Sequence, residues 1–240
     1  MHTHYIGTAG WSISSAAASR FPLDGSHLQR YALVLDCVEI NSSFYRSHQS
    51  ATYARWAASV PEHFRFSVKL PRSITHERRL RDCAAERERF AAEVIQLGNK
   101  LGCVLVQLPP SLHFEADVAA VFFHALRQRF GGMLACEARH ASWFAADATE
   151  LLTMLRITRV RADPPAGQPG PHVPTTSQAY LRLHGSPTIY YSDYPADYLA
   201  ALANELAARA PMNSWCIFDN TAAGAALFNA LDLQARLAKK

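Results

Sequence analysis

The stretch Glu137-Ala138-Arg139-His140-Ala141-Ser142-Trp143 decides how this chain is read. It closes a short run, Leu134 to Arg139, in which Cys136 and Ala138 alternate with Glu137 and Arg139. That is the two-residue period of a β-strand whose two faces meet different surroundings. The apolar face suits covering helices. The opposite face ends in an acid and a base, which points to an interior that is polar at one end.

Seven other runs have the same character: Tyr5 to Gly10, Cys37 to Asn41, Phe64 to Lys69, Cys103 to Leu108, Arg159 to Asp163, Tyr180 to His184 and Trp215 to Asp219. Between them the apolar positions switch to steps of three and four, the stripe of a core-facing helix. Examples are Tyr53, Trp56, Val60; Phe90, Val94, Leu97, Leu101; and Val118, Val121, Phe122, Leu126, Phe130. Leu151, Leu152, Leu155, then Tyr198, Leu199, Leu202, Leu206, then Leu227, Phe228, Leu231 continue the pattern. Strands alternating with helices predict an α/β protein, a single (β/α)₈ TIM-type barrel over residues 1–240, with a doubly wound sheet as the competitor. One crossover breaks the rule. Asp163 to Gln178 holds Pro164, Pro165, Pro169, Pro171 and Pro174 with Gly167 and Gly170, so a Pro-rich loop replaces the helix after strand six. Such a loop is either a lid or a surface tether.

Hydrophobic residues make up 49% of the 240 and charged ones 18%, enough for a large core and too little charge for a disordered chain. Cys37, Cys83, Cys103, Cys136 and Cys216 form no C-x-x-C pair, and the expectation is free thiols in a reducing cytoplasm. Met1 to Trp11 has no basic segment followed by an apolar one, and no 18 consecutive apolar residues occur, so neither export nor membrane insertion is expected. A net charge of +4 falls short of the basicity of an obligate nucleic-acid binder.

In a barrel the apolar residues of each strand face the helices and their complement faces inward. This places Glu39 and Asn41, then Arg65, Ser67 and Lys69, inside. Gln107, Glu137 and Arg139, Arg161 and Asp163, Arg182 and His184, and Asp219 follow from the later strands. The expected mouth thus balances Glu39, Glu137, Asp163 and Asp219 against Lys69, Arg139, Arg161 and Arg182. Mutual ion pairing explains any single pair. Eight charges at one rim point further, to a functional cavity, because apolar residues would fill the space at less cost.

Short strings mark these strand ends. They are Gly7-Thr8-Ala9-Gly10-Trp11, Glu39-Ile40-Asn41-Ser42-Ser43-Phe44-Tyr45-Arg46, Val68-Lys69-Leu70-Pro71-Arg72-Ser73-Ile74-Thr75-His76 and Gln107-Leu108-Pro109-Pro110-Ser111. Glu137 to Trp143, Leu181-Arg182-Leu183-His184-Gly185 and Phe218-Asp219-Asn220-Thr221 complete the set. In this order they resemble the YecE-like family, catalogued as domain of unknown function 72, over essentially the full chain. The resemblance implies a TIM-type barrel with a polar cavity at its C-terminal mouth, and it supplies no reaction. Ser12 to Ser19 departs from the family pattern in lacking the additional aromatic residues common there.

The leading functional expectation is an enzyme acting on a polar anionic small molecule, phosphorylated or carboxylated, by hydrolase, isomerase or lyase chemistry. Guanidinium and imidazole groups at the mouth suit such oxygens. Glu39, Lys69, Glu137, His140 and Asp219 are the catalytic candidates. Asn41, Tyr45, Arg46, Arg72, His76, Gln107, Arg139, Trp143, Arg182, His184, Tyr191 and Asn220 are the substrate-binding candidates. Gly185, Ser186, Thr221 and Gly224, in the loops after strands seven and eight, occupy the usual phosphate position of such barrels. No cofactor or bound metal is predicted, and no oligomeric state is indicated.

One alternative is metal-assisted hydrolysis on His76, His140, His184, Glu39, Glu137 and Asp219, though no H-x-H or H-x-x-E-H signature occurs and arginines crowd the region. Another is nucleic-acid binding through Arg72 to Arg89 with Trp143, Tyr190, Tyr191 and Tyr194. The pairs Glu77 with Arg81 and Arg78 with Asp82, four apart, instead read as a solvated helix face. Gly7-Thr8-Ala9-Gly10 lacks the third glycine of a dinucleotide site.

Overall fold

Nine parallel strands make one sheet: β1 (His4–Ala9), β2 (Cys37–Ile40), β3 (Arg65–Lys69), β4 (Leu101–Gln107), β5 (Met133–Glu137), β6 (Ile157–Arg159), β7 (Arg161–Asp163), β8 (Ala179–Leu183) and β9 (Ser214–Phe218). A computed structural model describes residues 4–208 and 213–239 of the chain. The order is β6-β5-β4-β3-β2-β1-β9-β8-β7. Its two ends are neighbours in sequence, since only Val160 separates β6 from β7. β6 pairs with β5 and β7 pairs with β8, so one bent segment does the work of the expected sixth strand and nearly closes the sheet into a barrel. The count of nine arises from that split. The TIM-type expectation otherwise holds.

Eight α-helices are found among the described residues: α1 (His27–Ala32), α2 (Ser42–Tyr45), α3 (Ser50–Ala58), α4 (Ala84–Val94), α5 (Ala116–Arg129), α6 (Ala146–Met154), α7 (Ala196–Ala208) and α8 (Ala225–Leu237). None lies between β7 and β8, where the Pro-rich segment runs without regular structure. None is long and apolar enough to cross a membrane. Local signals start and stop these helices. Ser26 opens α1 with a capping box: its Oγ accepts from the Gln29 amide, and the Gln29 side chain accepts from the Ser26 amide. The stripe through Phe90 and Val94 stops short of its expected end because Gly98 takes a φ of 58°, so Leu97 lies in a 3₁₀ turn and Leu101 begins β4. Val121 and Phe228, assigned to core stripes, are exposed.

Two apolar layers result. The outer one joins strand residues such as Val38, Phe66, Val104, Cys136, Leu181 and Phe218 to helix residues such as Tyr53, Phe90, Phe123, Leu152, Leu202 and Leu233. The inner one fills the lower barrel with Cys37, Cys103, Leu105, Met133, Ala135, Val160, Tyr180, Trp215 and Ile217. Trp215 stacks on Tyr180 with centroids 5.9 Å apart, and a Cβ at Gly102 would come within 2.5 Å of its indole, so that wall position admits only glycine. All five cysteines are buried and free.

Val160 belongs to the inner layer, which corrects the expected facing of strand six. Arg161 and Asp163 point outward. Arg161 pairs with Glu205 of α7, and Asp163 Oδ1 and Oδ2 accept from the Tyr194 and Tyr198 hydroxyls, both at 2.9 Å. The physical reason is the missing sixth helix, which leaves this strand's outer face to polar partners rather than an apolar stripe.

Candidate functional site

Above the aromatic floor the inward residues become polar, as the alternation requires. The centre is Arg182 on β8, with no exposed surface. Its Nε donates to Glu39 Oε2 at 3.0 Å and its Nη2 to Glu39 Oε1 at 2.7 Å, a forked pairing. Nη1 donates to Glu137 Oε2 at 2.5 Å, and Nη2 also donates to Asp219 Oδ2 at 2.9 Å. Four strands thus deliver four buried charges to one point. Backbone bonds that run past the strand ends hold them there: Gly10 N to Glu39 O at 2.9 Å, Leu108 N to Glu137 O at 2.9 Å, and Asp219 N to Leu183 O at 2.8 Å.

A second tier surrounds this lattice. The Tyr180 hydroxyl lies 2.8 Å from Glu39 Oε2 and 2.7 Å from Ser67 Oγ. Arg139 donates from Nε and Nη2 to Glu137 Oε1, at 2.8 and 2.7 Å. His184 Nδ1 meets Asp219 Oδ2 at 3.0 Å, while its Nε2, 3.4 Å from Glu137 Oε1, lacks an aligned partner. Lys69, at the end of β3, sets Nζ 4.2 Å from the centroid of the Phe44 ring.

The electrostatics follow from this packing. Burial alone would raise the Glu137 pKa, but Arg182, a hydrogen bond from His184 and Arg139 hold the carboxyl well below the usual range. Asp219 is likewise lowered: burial opposes ionisation, and Arg182 and His184 outweigh it. For His184 burial favours the neutral ring, yet hydrogen bonding to Asp219 and Glu137 raises its pKa above the ordinary value. Lys69 moves the other way. Burial, reinforced by Arg182, pushes its amine down to about 8 against the pull of Glu39, Glu137 and Asp219. His76, beside the rim, is lowered by burial and by Lys69, Arg72 and Arg139.

Of the catalytic candidates, Glu39, Lys69, Glu137 and Asp219 meet here. Of the binding candidates, Arg139, Arg182 and His184 do so, with His76 next to them. Gln107 is buried and pairs in register with Glu137 on the adjacent strand. Asn41 starts α2, its Oδ1 buried without a hydrogen-bond partner. The others lie elsewhere. His140 caps the turn at 141–144 through Ser142 and lies against His113, centroids 3.8 Å apart with the rings tilted by 39°. Trp143 is core, donating Nε1 to Leu112 O at 3.0 Å between Phe114 and Phe123. Arg72 is exposed and pairs with Glu77 at 3.1 Å. Tyr45 and Arg46 line a separate groove of about 270 Å³ with Arg89 and Glu93. Asn220 is wholly buried as a latch, donating to Ser192 O and Asn229 Oδ1 at 2.9 and 2.8 Å. Tyr191 is exposed, and its neighbour Tyr190 takes the place expected of it.

Tyr180 was not among the candidates, and Tyr190 entered only as a base-stacking residue of the nucleic-acid alternative. Tyr180 shares a face with Arg182 and His184, two and four residues on, so strand period alone could have found it. Tyr190 carries no such signal. It adopts a left-handed φ of 72°, with its ring edge-on to His184 at 5.9 Å and close to Arg139. A strained non-glycine residue at a rim of this kind is what functional loops tend to retain.

Two alternatives bear on this geometry. Glu39, Glu137, Asp219 and His184 converge, but the Arg182 guanidinium occupies the point of convergence, and no group of three or more His, Cys, Asp or Glu among the described residues is arranged to hold a metal ion. The basic stretch from Arg72 is not a continuous helix. A π turn spans 73–77, Arg79, Leu80 and Asp82 are left-handed, and α4 starts only at Ala84. The expected pairs at spacing four are therefore replaced by Arg78 with Glu86 at 2.6 Å and Arg81 with Glu115.

Comparison with known proteins agrees with the architecture. The family model described as "Protein of unknown function DUF72" matches residues 5–240. The UPF0759 protein YunF of Bacillus subtilis is 29% identical over 147 residues, which cover 59% of this chain and 52% of that protein. The UPF0759 protein YecE of Escherichia coli K12 is 29% identical over 147 residues, 61% of this chain and 52% of that one. The matched stretch thus spans about half the length of these curated relatives. Among solved structures, a DUF72 family protein from Thermotoga maritima superposes with a TM-score of 0.80 at 27% identity, covering 99% of this chain and 100% of that one. One from Enterococcus faecalis gives 0.79 at 22% identity, covering 98% and 96%.

Proposed function

The chain belongs to the DUF72 family of proteins of unknown function, and from that premise we propose that its barrel mouth binds a small anionic metabolite and transforms it by acid–base chemistry. The observation that carries this is the direction of the unspent hydrogen bonds. All three carboxylates are engaged by Arg182, and Glu137 is engaged again by Arg139. What is left without an aligned carboxylate is mostly donors: the Lys69 amine, the edge of Arg139 turned away from Glu137 toward Tyr190, and the buried His184 Nε2, 3.4 Å from Glu137 Oε1. Buried donors without partners cost free energy that an acceptor-rich ligand recovers. Phosphate and carboxylate oxygens fit, and C-terminal strand ends are where such barrels place their ligands.

Within that reading the lattice sets distinct roles. Arg182 is an anchor that fixes Glu39 in place and favours the ionised forms of Glu137 and Asp219. His184, held protonated by two carboxylates, is the proton donor, and Lys69 is an amine able to act as base or nucleophile. The test is a thermal-shift panel of phosphorylated sugars, organic acids and nucleotides at constant ionic strength. Ligands that bind only the folded state raise Tm by mass action. A hit lost in Lys69→Met and in Arg139→Met, both still folded, supports the reading. Hits indifferent to both substitutions would place the site elsewhere.

A further inference from the structure

Lys69 and Lys100 are equally buried, each with 8% exposure, but their amines have different surroundings. Lys100 donates to the carbonyls of Ala57 and Val60 at 2.8 and 2.7 Å, which explains it as an anchor between α3 and the strand above. Lys69 Nζ stands over the face of Phe44, and no hydrogen bond or carboxylate ion pair reaches it among the described residues. A lysine buried at a strand end, lined by an aromatic face and left without a structural bond, is placed for covalent chemistry rather than for stability.

Resting on the anion-binding reading of the mouth, we propose that Lys69 condenses with the carbonyl carbon of a phosphorylated or carboxylated aldehyde or ketone to form a Schiff base. The neutral amine's lone pair forms the C–N bond while the carbonyl π pair moves to oxygen, which takes up a proton. Nitrogen then releases a proton, the hydroxyl leaves as water after a second protonation, and the protonated imine that remains gives up its N–H proton to become the neutral Schiff base. One water is released per condensation, and no oxidant or reductant is consumed.

The neighbours supply what these steps need. Asp219 acts electrostatically on Lys69 and is hydrogen-bonded to His184 Nδ1, so a protonated ring stands in the same cluster to give and take back the protons. His76 lies where it feels the charges of both Lys69 and Arg139, so cationic and N–H donors for the anionic group gather at this part of the rim. Burial and Arg182 lower the amine to about 8, leaving a useful neutral fraction near neutral pH.

The experiment incubates the intact chain separately with glyoxylate, pyruvate and dihydroxyacetone phosphate in the presence of cyanoborohydride, which reduces an imine to a stable secondary amine. Peptide mass spectrometry then reads Lys69, Lys100, Lys239 and Lys240, the chain's four lysines. The expected result is one reduced adduct on Lys69 with at least one probe, forming faster as pH rises through about 8 and absent in Lys69→Arg. Excess inorganic phosphate should slow that labelling. Labelling spread equally over the four lysines, or none on Lys69, overturns the proposal. A phosphate-dependent rise in Tm without labelling leaves the anion site standing and removes only the covalent step. Labelling that phosphate does not slow, with no rise in Tm, removes the anion reading and keeps the amine.

Discussion

Arg182 carries the greatest structural weight of any single residue, because three carboxylates depend on it. Breaking a buried ion pair by deleting one partner costs about 3–5 kcal/mol, since the other charge is left uncompensated. Arg182→Met should therefore lower the unfolding free energy from urea titration by an amount in that range, whereas Lys69→Met, which breaks no hydrogen bond, should cost far less. Equal losses in the two variants would contradict the lattice. The pH dependence has two limbs. Glu137 and Asp219 have depressed folded pKa values, so their contribution is present above the ordinary carboxylate range of about 4 and is lost as pH falls below it. His184 has a raised folded value, so its contribution is present below about 6.5 and is lost as pH rises through the folded pKa. Denaturant midpoints measured against pH should fall above that point in the wild type. His184→Asn should flatten that limb, and identical profiles would remove His184 from the coupled set. Glu39, Glu137, Arg182 and Asp219 were readable from alternation alone, because a charge on the face opposite an apolar one has only the lumen to occupy. Tyr180 lies on the same face and was legible by the same period, but an aromatic residue in a strand satisfies propensity without its hydroxyl, so the polar contact to Glu39 had no signal of its own.

The elements with lumen residues below and helix stripes above were those the sequence described best, since each strand had to satisfy two environments at once. The segment Ile157 to Asp163 failed that rule for a reason visible in the pairing. Its first half bonds to β5 and its second to β8, and its outward residues Arg159, Arg161 and Asp163 meet polar groups, those of α7 included, rather than an apolar helix stripe. Arg159 Nη2 reaches Trp143 O at 3.0 Å, the same kind of substitution of hydrogen bonds for apolar cover. The Pro-rich crossover sits over this strand and touches the mouth at Gly167, where a Cβ would come within 2.3 Å of Arg139 O. Gly167 also has a φ of 67°, which costs an L residue about 1–2 kcal/mol. Gly167→Ala should therefore lift the loop from the end of β5 and speed limited proteolysis within 164–178. An unchanged cleavage rate would mean the loop is not seated against the strand. Whether it also covers ligand is a separate matter, and proline content alone could not distinguish a lid from a tether.

At the scale of the whole molecule, the distribution of charge separates surface from site. Three cations of the basic stretch pair with acids, Arg72 with Glu77, Arg78 with Glu86 and Arg81 with Glu115, and Arg79 donates to Ser111. The donors at the mouth are those left without an aligned carboxylate. Composition and net charge could exclude a strongly basic binder, but they could not locate this asymmetry, which depends on partners brought together from distant parts of the chain. The most direct measurement is a crystal structure of the protein soaked in inorganic phosphate near neutral pH. The account predicts an anion whose oxygens lie within hydrogen-bond distance of Lys69 Nζ and the edge of Arg139 turned away from Glu137, above an intact Arg182 lattice. Phosphate bound only in the outer groove lined by Arg46 and Arg89, with Lys69 turned away and the carboxylates scattered, would contradict it.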